Sequence, residues 1–511
     1  MKRVFLIILY PLALFLMGYL NYSKAGLLAL NILFIVAILY QLKSYFKNRF
    51  FDILFFILLF YMIGFVEFHA ALKDIFGVAQ DDYMIIKAII DTDSNETKEF
   101  FIQYKTYLIK HVLIAIFVFL FYFYIFKKNT TFNKKIFIIT LILFIISQLN
   151  PTLRRNNPFI YFEYYYSKYQ KEVALTNNYF KNFSKNRKSS NIDAEYVGKE
   201  KNTLVWVIGE SNTKKCWSLY GYKRDTNAFL EKYKDKIFLF KNIYAAAPAT
   251  IEAFELMLTK ANRSHKDWLN TMDILTLAKK AGYKIYWISN HSTDTRGIIN
   301  VFAKYSDKFI MTNKGGSRGE GSYDESVFLP LKKALDDNTS KKLIIVHLLE
   351  AHPAYDFRYP KEFSHFHKDE VYENLSQKRA SWALFLRNTY DNAIYYSDYI
   401  KSKILQMVID KNKDNSITLL YNPDHGEDVL FHSNFAGHNA KAIEQWEIPM
   451  FLYTKKFFIK KSYLDRKYQL DEVDNLILHL LQIKTKFYNP TYDILSDKFK
   501  SKISLPKDVR K

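Results

Sequence analysis

Hydrophobic and polar positions divide this chain into two parts with different periods. Before residue 150, five runs are apolar on every side: Val4–Leu20, Gly26–Leu42, Phe51–Phe68, Tyr107–Phe126 and Ile136–Leu149. A bilayer core asks for about 20 apolar residues per helix, so these runs predict five membrane spans, the fifth a short one. After Lys201 the pattern changes to short apolar runs alternating with helical stretches, the signature of an α/β domain. Strands are predicted at Leu204–Ile208, Ile237–Phe240, Lys284–Ile288, Lys342–Leu348, Ser416–Tyr421 and Pro449–Tyr453. Helices are predicted at Thr226–Tyr233, Ile251–Lys260, Met272–Ala281, Ala380–Val408 and Leu470–Leu481. The expected organisation is an α-helical transmembrane domain over 1–150, a membrane-interface linker over 151–200 and an α/β domain over 201–511.

The short loops set an orientation. Lys2 and Arg3, then Lys43, Lys47 and Arg49, then Lys127, Lys128, Lys134 and Lys135 all fall on one side, which the excess of positive charge marks as cytoplasmic. Everything after residue 150 is then exported. The opposite side carries the acid-rich 69–106 loop, with Asp81, Asp82, Asp91, Asp93, Glu96 and Glu99. Within it, Tyr83–Ile90 reads either as a helix against the bilayer interface or as a plain connecting helix. The aromatic run Phe159–Tyr166 suits the headgroup level, and Asn182–Asn191 reads as loop. No small-residue cleavage site follows the first run, so an uncleaved anchor is expected.

Charge changes the picture little. The net +22 comes from lysine spread along the whole chain. It reads as compositional bias or as attraction to an anionic membrane or phosphorylated substrate. No stripe of basic residues interleaved with stacking aromatics points to nucleic acid. Cys216 is the only cysteine, which excludes an intrachain disulfide.

The candidate chemistry lies at two strand ends. The run Leu204–Ile208 stops at Gly209-Glu210, and Ile417–Tyr421 stops at Asn-Pro-Asp424-His425-Gly-Glu. Open α/β sheets build their sites at the carboxyl ends of strands. Hard oxygen ligands with one imidazole suit zinc, or manganese less well; solvated loop acids and a surface histidine are the plain alternative. For a nucleophile, Ser211 lacks the second glycine of a nucleophile elbow, since Thr213 stands there. Thr250, in Ala-Ala-Ala-Pro-Ala-Thr250-Ile-Glu, sits where a loop of small residues enters a helix. Its hydroxyl could bind the metal, or it could simply cap the helix, and spacing alone does not choose.

GESNTKKCWSLYGYKRDTN, APATIE, WISNHSTDTRGIINVFAKYSDKFIMTN, IIVHLLEAHPAYDFRYP, YDNAIYYSDYI and DHGED follow in this order. Together they resemble the membrane-bound phosphoethanolamine transferases of the alkaline phosphatase and sulfatase superfamily, in the branch that decorates lipopolysaccharide core and lipid A. The resemblance implies a mixed sheet flanked by helices, and a zinc ion held by Glu210, Thr250, Asp424 and His425. It makes Thr250 the nucleophile that takes phosphoethanolamine from phosphatidylethanolamine. It places His352 and His438 at the phosphate or a second zinc, and Glu96 at the ethanolamine ammonium. His347 and His432 fit these roles less well. It further implies a bacterial inner-membrane location with the α/β domain in the periplasm, membrane lipids around the spans, and a lipid A or lipopolysaccharide core acceptor. The absence of disulfides and the loose spacing between Glu427 and His438 depart from the family pattern. Alternatives are a phosphoglycerol transferase or sulfatase-like hydrolase on the same scaffold, or a non-catalytic glycolipid-binding membrane protein. A sulfatase would need Cys or Ser in a C/S-x-P-x-R context, which Cys216 does not have.

Overall fold

Chain contacts separate two units: residues 1–92 with 100–175, and residues 93–99 with 176–511. The computed structural model describes residues 2–20, 22–76, 86, 89–90, 94–128, 131–171, 173–174, 192–291, 298–313, 323–367 and 378–509. Asn182–Asn191 and most of Tyr83–Ile90 lie outside the described residues.

In the first unit, three helices among the described residues are long and apolar enough to cross a membrane: Ser23–Phe46, Arg49–Ile75 and Lys105–Phe126. The first expected span is instead interrupted by a 3-10 turn at Leu6–Ile8 before the helix Leu9–Leu16. The fifth is the 16-residue helix Lys134–Leu149. Leu28, Val36, Leu59, Met62 and Val66 pack the helix interfaces. The outward faces are equally apolar, with Phe117 73% and Leu149 72% exposed. Water penalises such a surface, whereas lipid does not. This is a membrane protein.

The same unit holds a chain of ionisable groups, with Tyr10, Glu67 and His111 buried and Asp74 and Lys110 partly exposed. The Tyr10 hydroxyl donates to Glu67, and Glu67 also accepts from Nδ1 of His111. His111 Nε2 lies 3.2 Å from Asp74, and Lys110 Nζ lies 2.7 Å from the same oxygen. Each acid therefore faces a donor.

In the second unit, twelve strands follow in sequence: β1 (Glu195–Tyr196), β2 (Asn202–Gly209), β3 (Phe238–Tyr244), β4 (Lys284–Ser289), β5 (Lys308–Met311), β6 (Lys341–His347), β7 (Ile417–Pro423), β8 (Asp428–Val429), β9 (Ala436–Gly437), β10 (Glu447–Tyr453), β11 (Lys467–Gln469) and β12 (Ile483–Lys484). Eight form the main sheet in the order β11-β3-β10-β7-β2-β6-β4-β5. The run β7-β2-β6-β4-β5 is parallel, and β10 is antiparallel to both β7 and β3, so the sheet is mixed. Strand β2 is buried at every position, because a central parallel strand is covered on both faces. Its two-residue period sends Leu204, Trp206 and Ile208 into one core and Val205 and Val207 into the other.

The structure departs from the sequence reading at several elements. Residues 226–233 are turns leading into a 3-10 helix at Glu231–Lys236, not an α-helix. The buried Asp398 carboxylate takes the Phe229 and Leu230 amides and the Asn227 side chain, so those donors are committed outside any helical ladder. Strands β5 and β11 were not foreseen, being four and three residues long at the sheet edges.

Candidate metal centre

Topology brings the two acidic strand ends together. Gly209 and Pro423 are register partners at the carboxyl ends of β2 and β7, so Glu210 and Asp424 leave neighbouring strands side by side. The Asp424 amide donates to the Gly209 carbonyl at 3.0 Å, and the Asn212 amide donates to the His425 carbonyl at 2.8 Å. The chain turns sharply after His425 at Gly426, where a Cβ would stand 2.0 Å from the Glu444 carbonyl oxygen. Only glycine passes there.

Thr250 reaches the same point from the third direction. It is the first residue of the helix Thr250–Met257, whose N-cap is Ala249. The capping role open to Thr250 in the sequence is therefore not the one it takes. Its Oγ1 lies 3.1 and 3.3 Å from the two Glu210 oxygens and 3.3 Å from His425 Nε2. His425 Nε2 also stands 3.4 Å from Glu210 Oε1, 3.5 Å from Asp424 Oδ2 and 3.2 Å from His438 Nε2. The His425 Nδ1–H donates to the Gly426 carbonyl at 2.7 Å, which assigns the lone pair to Nε2.

The result is a crowd of acceptors. Glu210, Asp424 and His425 are fully buried, and Asp424 Oδ2 has no hydrogen-bond partner among the described residues. The Ser211 hydroxyl donates to Glu210 Oε1 at 2.9 Å, and the Ser211 and His425 amides donate to Asp424 Oδ1 at 3.2 and 2.7 Å, yet Asp424 Oδ2 and the facing imidazole Nε2 atoms are left without a donor of their own among the described residues. Burial first, then hydrogen bonds and nearby carboxylates, set the Glu210 carboxyl, which is pushed up to about 7. Burial and the adjacent Glu210 push Asp424 well above the usual carboxylate range. Burial also holds His438 and His352 far below the ordinary imidazole value, so both keep free lone pairs. A cation answers all of these at once. Ligands about 2.0–2.2 Å from a tetrahedral zinc stand about 3.3–3.6 Å from one another, close to the spacings found here. The donor set fits zinc.

The remaining expected residues divide. His438 joins Glu210 and His425 in one group whose ligand atoms are mutually within 4.8 Å, and it lies 3.8 Å from Glu427. His352 is close enough to His291, His438 and His425 for their charges to act on it. Its Nδ1 is buried without a partner among the described residues. Glu96 lies in the helix Ser94–Gln103, and its side chain is outside what the structure describes. His432 bonds Glu444 at 2.8 Å instead of joining the cluster. Two site residues escaped the sequence reading. His291, just past the end of β4, brings Nε2 to 3.6 Å from Glu210. Glu427 is fully buried, takes the Tyr355 hydroxyl at 2.9 Å, and leaves Oε2 toward His438.

His291 and His347 also lie with Glu210 in a group compact enough for a metal. Their rings, however, are stacked 3.9 Å apart and inclined by only 8°. Imidazole lone pairs lie in the ring plane, and two parallel stacked planes cannot share one ion. That leaves Glu210, Asp424, His425 and Thr250, with His438 beside them, as the candidate group for an ion among the described residues.

A mixed α/β sheet with acids, histidines and a helix-borne hydroxyl at its strand ends is the architecture of metal-assisted group transfer on phosphorus or sulfur esters. Residues 202–482 match the sulfatase family model. Phosphoethanolamine transferase EptC of Escherichia coli K12 is 32% identical over 321 residues, covering 59% of this chain and 55% of that protein. The crystal structure of the periplasmic domain of EptC from Escherichia coli, in complex with zinc, is 30% identical and superposes with a TM-score of 0.57 over 61% of this chain and 91% of that domain. The integral membrane lipooligosaccharide phosphoethanolamine transferase A of Neisseria meningitidis shares the fold at 18% identity, with a TM-score of 0.64 over 97% of this chain and 98% of that one. The chain belongs to the sulfatase family, in the branch whose named members are phosphoethanolamine transferases. The match spans about half the length of the curated relatives.

Proposed function

We propose that this protein transfers phosphoethanolamine from phosphatidylethanolamine to a cell-envelope acceptor such as lipid A or lipopolysaccharide core, in two steps through Thr250. The observation that carries this reading is the convergence of Thr250 Oγ1 on Glu210 and His425 Nε2 at 3.1–3.3 Å. Glu210, Asp424, His425 and Thr250 Oγ1 would hold zinc. Bound zinc lowers the pKa of a coordinated hydroxyl and neutralises charge developing on phosphoryl oxygens.

In the first step Oγ1 of Thr250 bonds to phosphorus and the bond to the diacylglycerol oxygen breaks. The proton released by Thr250 Oγ1 is the one the departing diacylglycerol oxygen takes, relayed through the neutral imidazoles so that they end the step unchanged. In the second step an acceptor oxygen attacks the phospho-threonine, and Thr250 is restored. His438 and His352 flank the space where phosphoryl oxygens must sit, and their N–H groups bind and orient them, whereas the His291 Nε2–H is taken by the Leu348 carbonyl at 3.0 Å. Glu427, 3.8 Å behind His438, places a carboxylate near that imidazole. The thiol of Cys216 takes no part: it is fully buried, and burial pushes its pKa well up.

The proposal includes a location: five spans over 1–150, basic loops in the cytoplasm, and the domain over 201–511 in the periplasm, joined by the 151–200 linker. Glu96, on the outer loop, is assigned to the ethanolamine ammonium.

Incubating the purified protein in mixed micelles with labelled phosphatidylethanolamine or phosphatidylglycerol tests the donor. Diacylglycerol released from the first alone supports this reading. Release from the second alone makes the protein a phosphoglycerol transferase. A protein that releases neither and retains no zinc is a non-catalytic membrane scaffold.

A further inference from the structure

A buried charge pair lies behind the converging groups and touches them only through the backbone of Glu210. Glu350 and Lys401 are each only 2% exposed, with Oε1 and Nζ 3.0 Å apart. Burying an ion pair costs several kcal/mol per ion, and apolar replacements are often neutral or stabilising. Stability therefore does not account for it.

Its hydrogen bonds point elsewhere. Glu350 Oε2 accepts from the Glu210 amide at 3.3 Å, from Asn212 Nδ2 at 3.1 Å and from the Tyr421 hydroxyl at 3.0 Å. Oε1 faces the long helix Ser381–Lys411 and accepts from Ser397 Oγ at 2.7 Å and from Lys401. One oxygen thus grips the turn 209–213 that carries Glu210, while the other is anchored to a helix. Lys401 Nζ is in turn held over the rings of Trp217 and Tyr421, at 5.0 and 4.9 Å.

The turn needs holding. Ser211 has φ +52°, a left-handed conformation that costs a non-glycine residue about 1–2 kcal/mol. A Cβ at Gly209 would stand 2.2 Å from Glu350 Oε2, so glycine leaves room for that carboxylate. Glu350 is itself left-handed, at φ +34°. Its amide and that of Leu349 are fixed by the Asp324 carboxylate at 2.9 Å each. Two strained residues face each other across these bonds, one of them next to the acid of the metal centre.

We propose that Glu350 is a positioning residue for Glu210. Its Oε2 pins the 209–213 turn so that the Glu210 carboxylate meets Thr250 and His425, and Lys401 and Ser397 hold the other end. This rests on the metal reading of the site.

Zinc affinity of the full-length protein in detergent, measured by competition with a chromophoric chelator, tests it with two opposed variants. Glu350→Asp keeps the charge pair but withdraws the acceptor from the turn, and is expected to weaken zinc about ten-fold. Glu350→Gln with Lys401→Met removes both charges but keeps an acceptor toward the turn, and is expected to stay within about three-fold of the parent. A purely structural pair would lower melting temperature in both and leave zinc affinity alone. Glu350→Asp binding within about two-fold of the parent overturns the proposal, as does a ten-fold loss in the double variant. Should Glu350→Asp fail to accumulate, Glu350→Ala with Lys401→Met, which removes the acceptor along with both charges, takes its place under the same margins. A parent that retains no zinc removes the metal reading along with this one; a parent that holds zinc, with Glu350→Asp unchanged, removes this one only.

Discussion

Both units of this protein bury glutamate and histidine beside an aspartate, and they do so in opposite ways. In the helical unit the groups alternate acceptor and donor: Tyr10 and His111 serve Glu67, and His111 and Lys110 serve Asp74. Nothing further is asked of that cluster. In the sheet unit, Ser211 and two backbone amides serve Glu210 and one oxygen of Asp424, but Asp424 Oδ2 and the Nε2 atoms of His425 and His438 turn toward one another with too few protons to go round. Composition is nearly the same in both. What separates a structural cluster from a metal centre is the count of donors against acceptors, since an unpaired buried acceptor is costly and a cation satisfies several at once.

That contrast can be broken by substitution. Thr250→Ala is expected to lower diacylglycerol release by at least about 10⁴-fold while the protein still accumulates, because the Ser211 hydroxyl, the other one at the cluster among the described residues, is fully buried and donated to Glu210. Glu67→Leu, in the helical unit, is expected to cost about 3–5 kcal/mol by leaving His111 and Tyr10 without their acceptor, read as a lower melting temperature in detergent at unchanged zinc content. Glu210→Gln is expected to do the reverse: zinc affinity falls about 100-fold with little loss of fold. If Glu67→Leu removed zinc, or Glu210→Gln unfolded the protein without affecting zinc, the distinction between the clusters would fail.

A smaller effect concerns pH. In the metal-free protein the Glu210 carboxyl, ordinarily near 4.5, is pushed up to about 7, chiefly by burial. Between those values the folded chain holds a proton that the unfolded chain has released, so metal-free stability falls as pH rises through the window. Zinc needs the ionised carboxylate and reverses the trend. The metal-free melting temperature is therefore expected to be higher near pH 5 than near pH 7.5, with the gain on adding zinc growing toward the higher pH. Asp398, also pushed up to about 7 by burial, contributes in the same direction. The difference between parent and Glu210→Gln isolates the metal centre.

The sequence was most legible where chemistry is local. Glu210, Asp424 and His425 stand at the ends of apolar runs, and Thr250 at a helix start, so chain pattern alone brought them forward. His291 obeyed the same strand-end rule, following the run that became β4, but a single histidine ahead of Ser-Thr-Asp carries no periodic signal. The Glu350–Lys401 pair was invisible for another reason. Lysine within a helical pattern reads as solvated surface, and only the topology puts it against a residue 51 positions earlier. The three long spans were plain, whereas the first and fifth apolar runs became shorter helices than their hydropathy suggested.

The most direct measurement is peptide mass spectrometry of the full-length protein quenched during turnover with phosphatidylethanolamine and no acceptor. The expected result is one phosphoethanolamine on the peptide containing Thr250, dependent on zinc and absent after Glu210→Gln. Diacylglycerol release with Thr250 unmodified, or the group found on another residue, would contradict the reading.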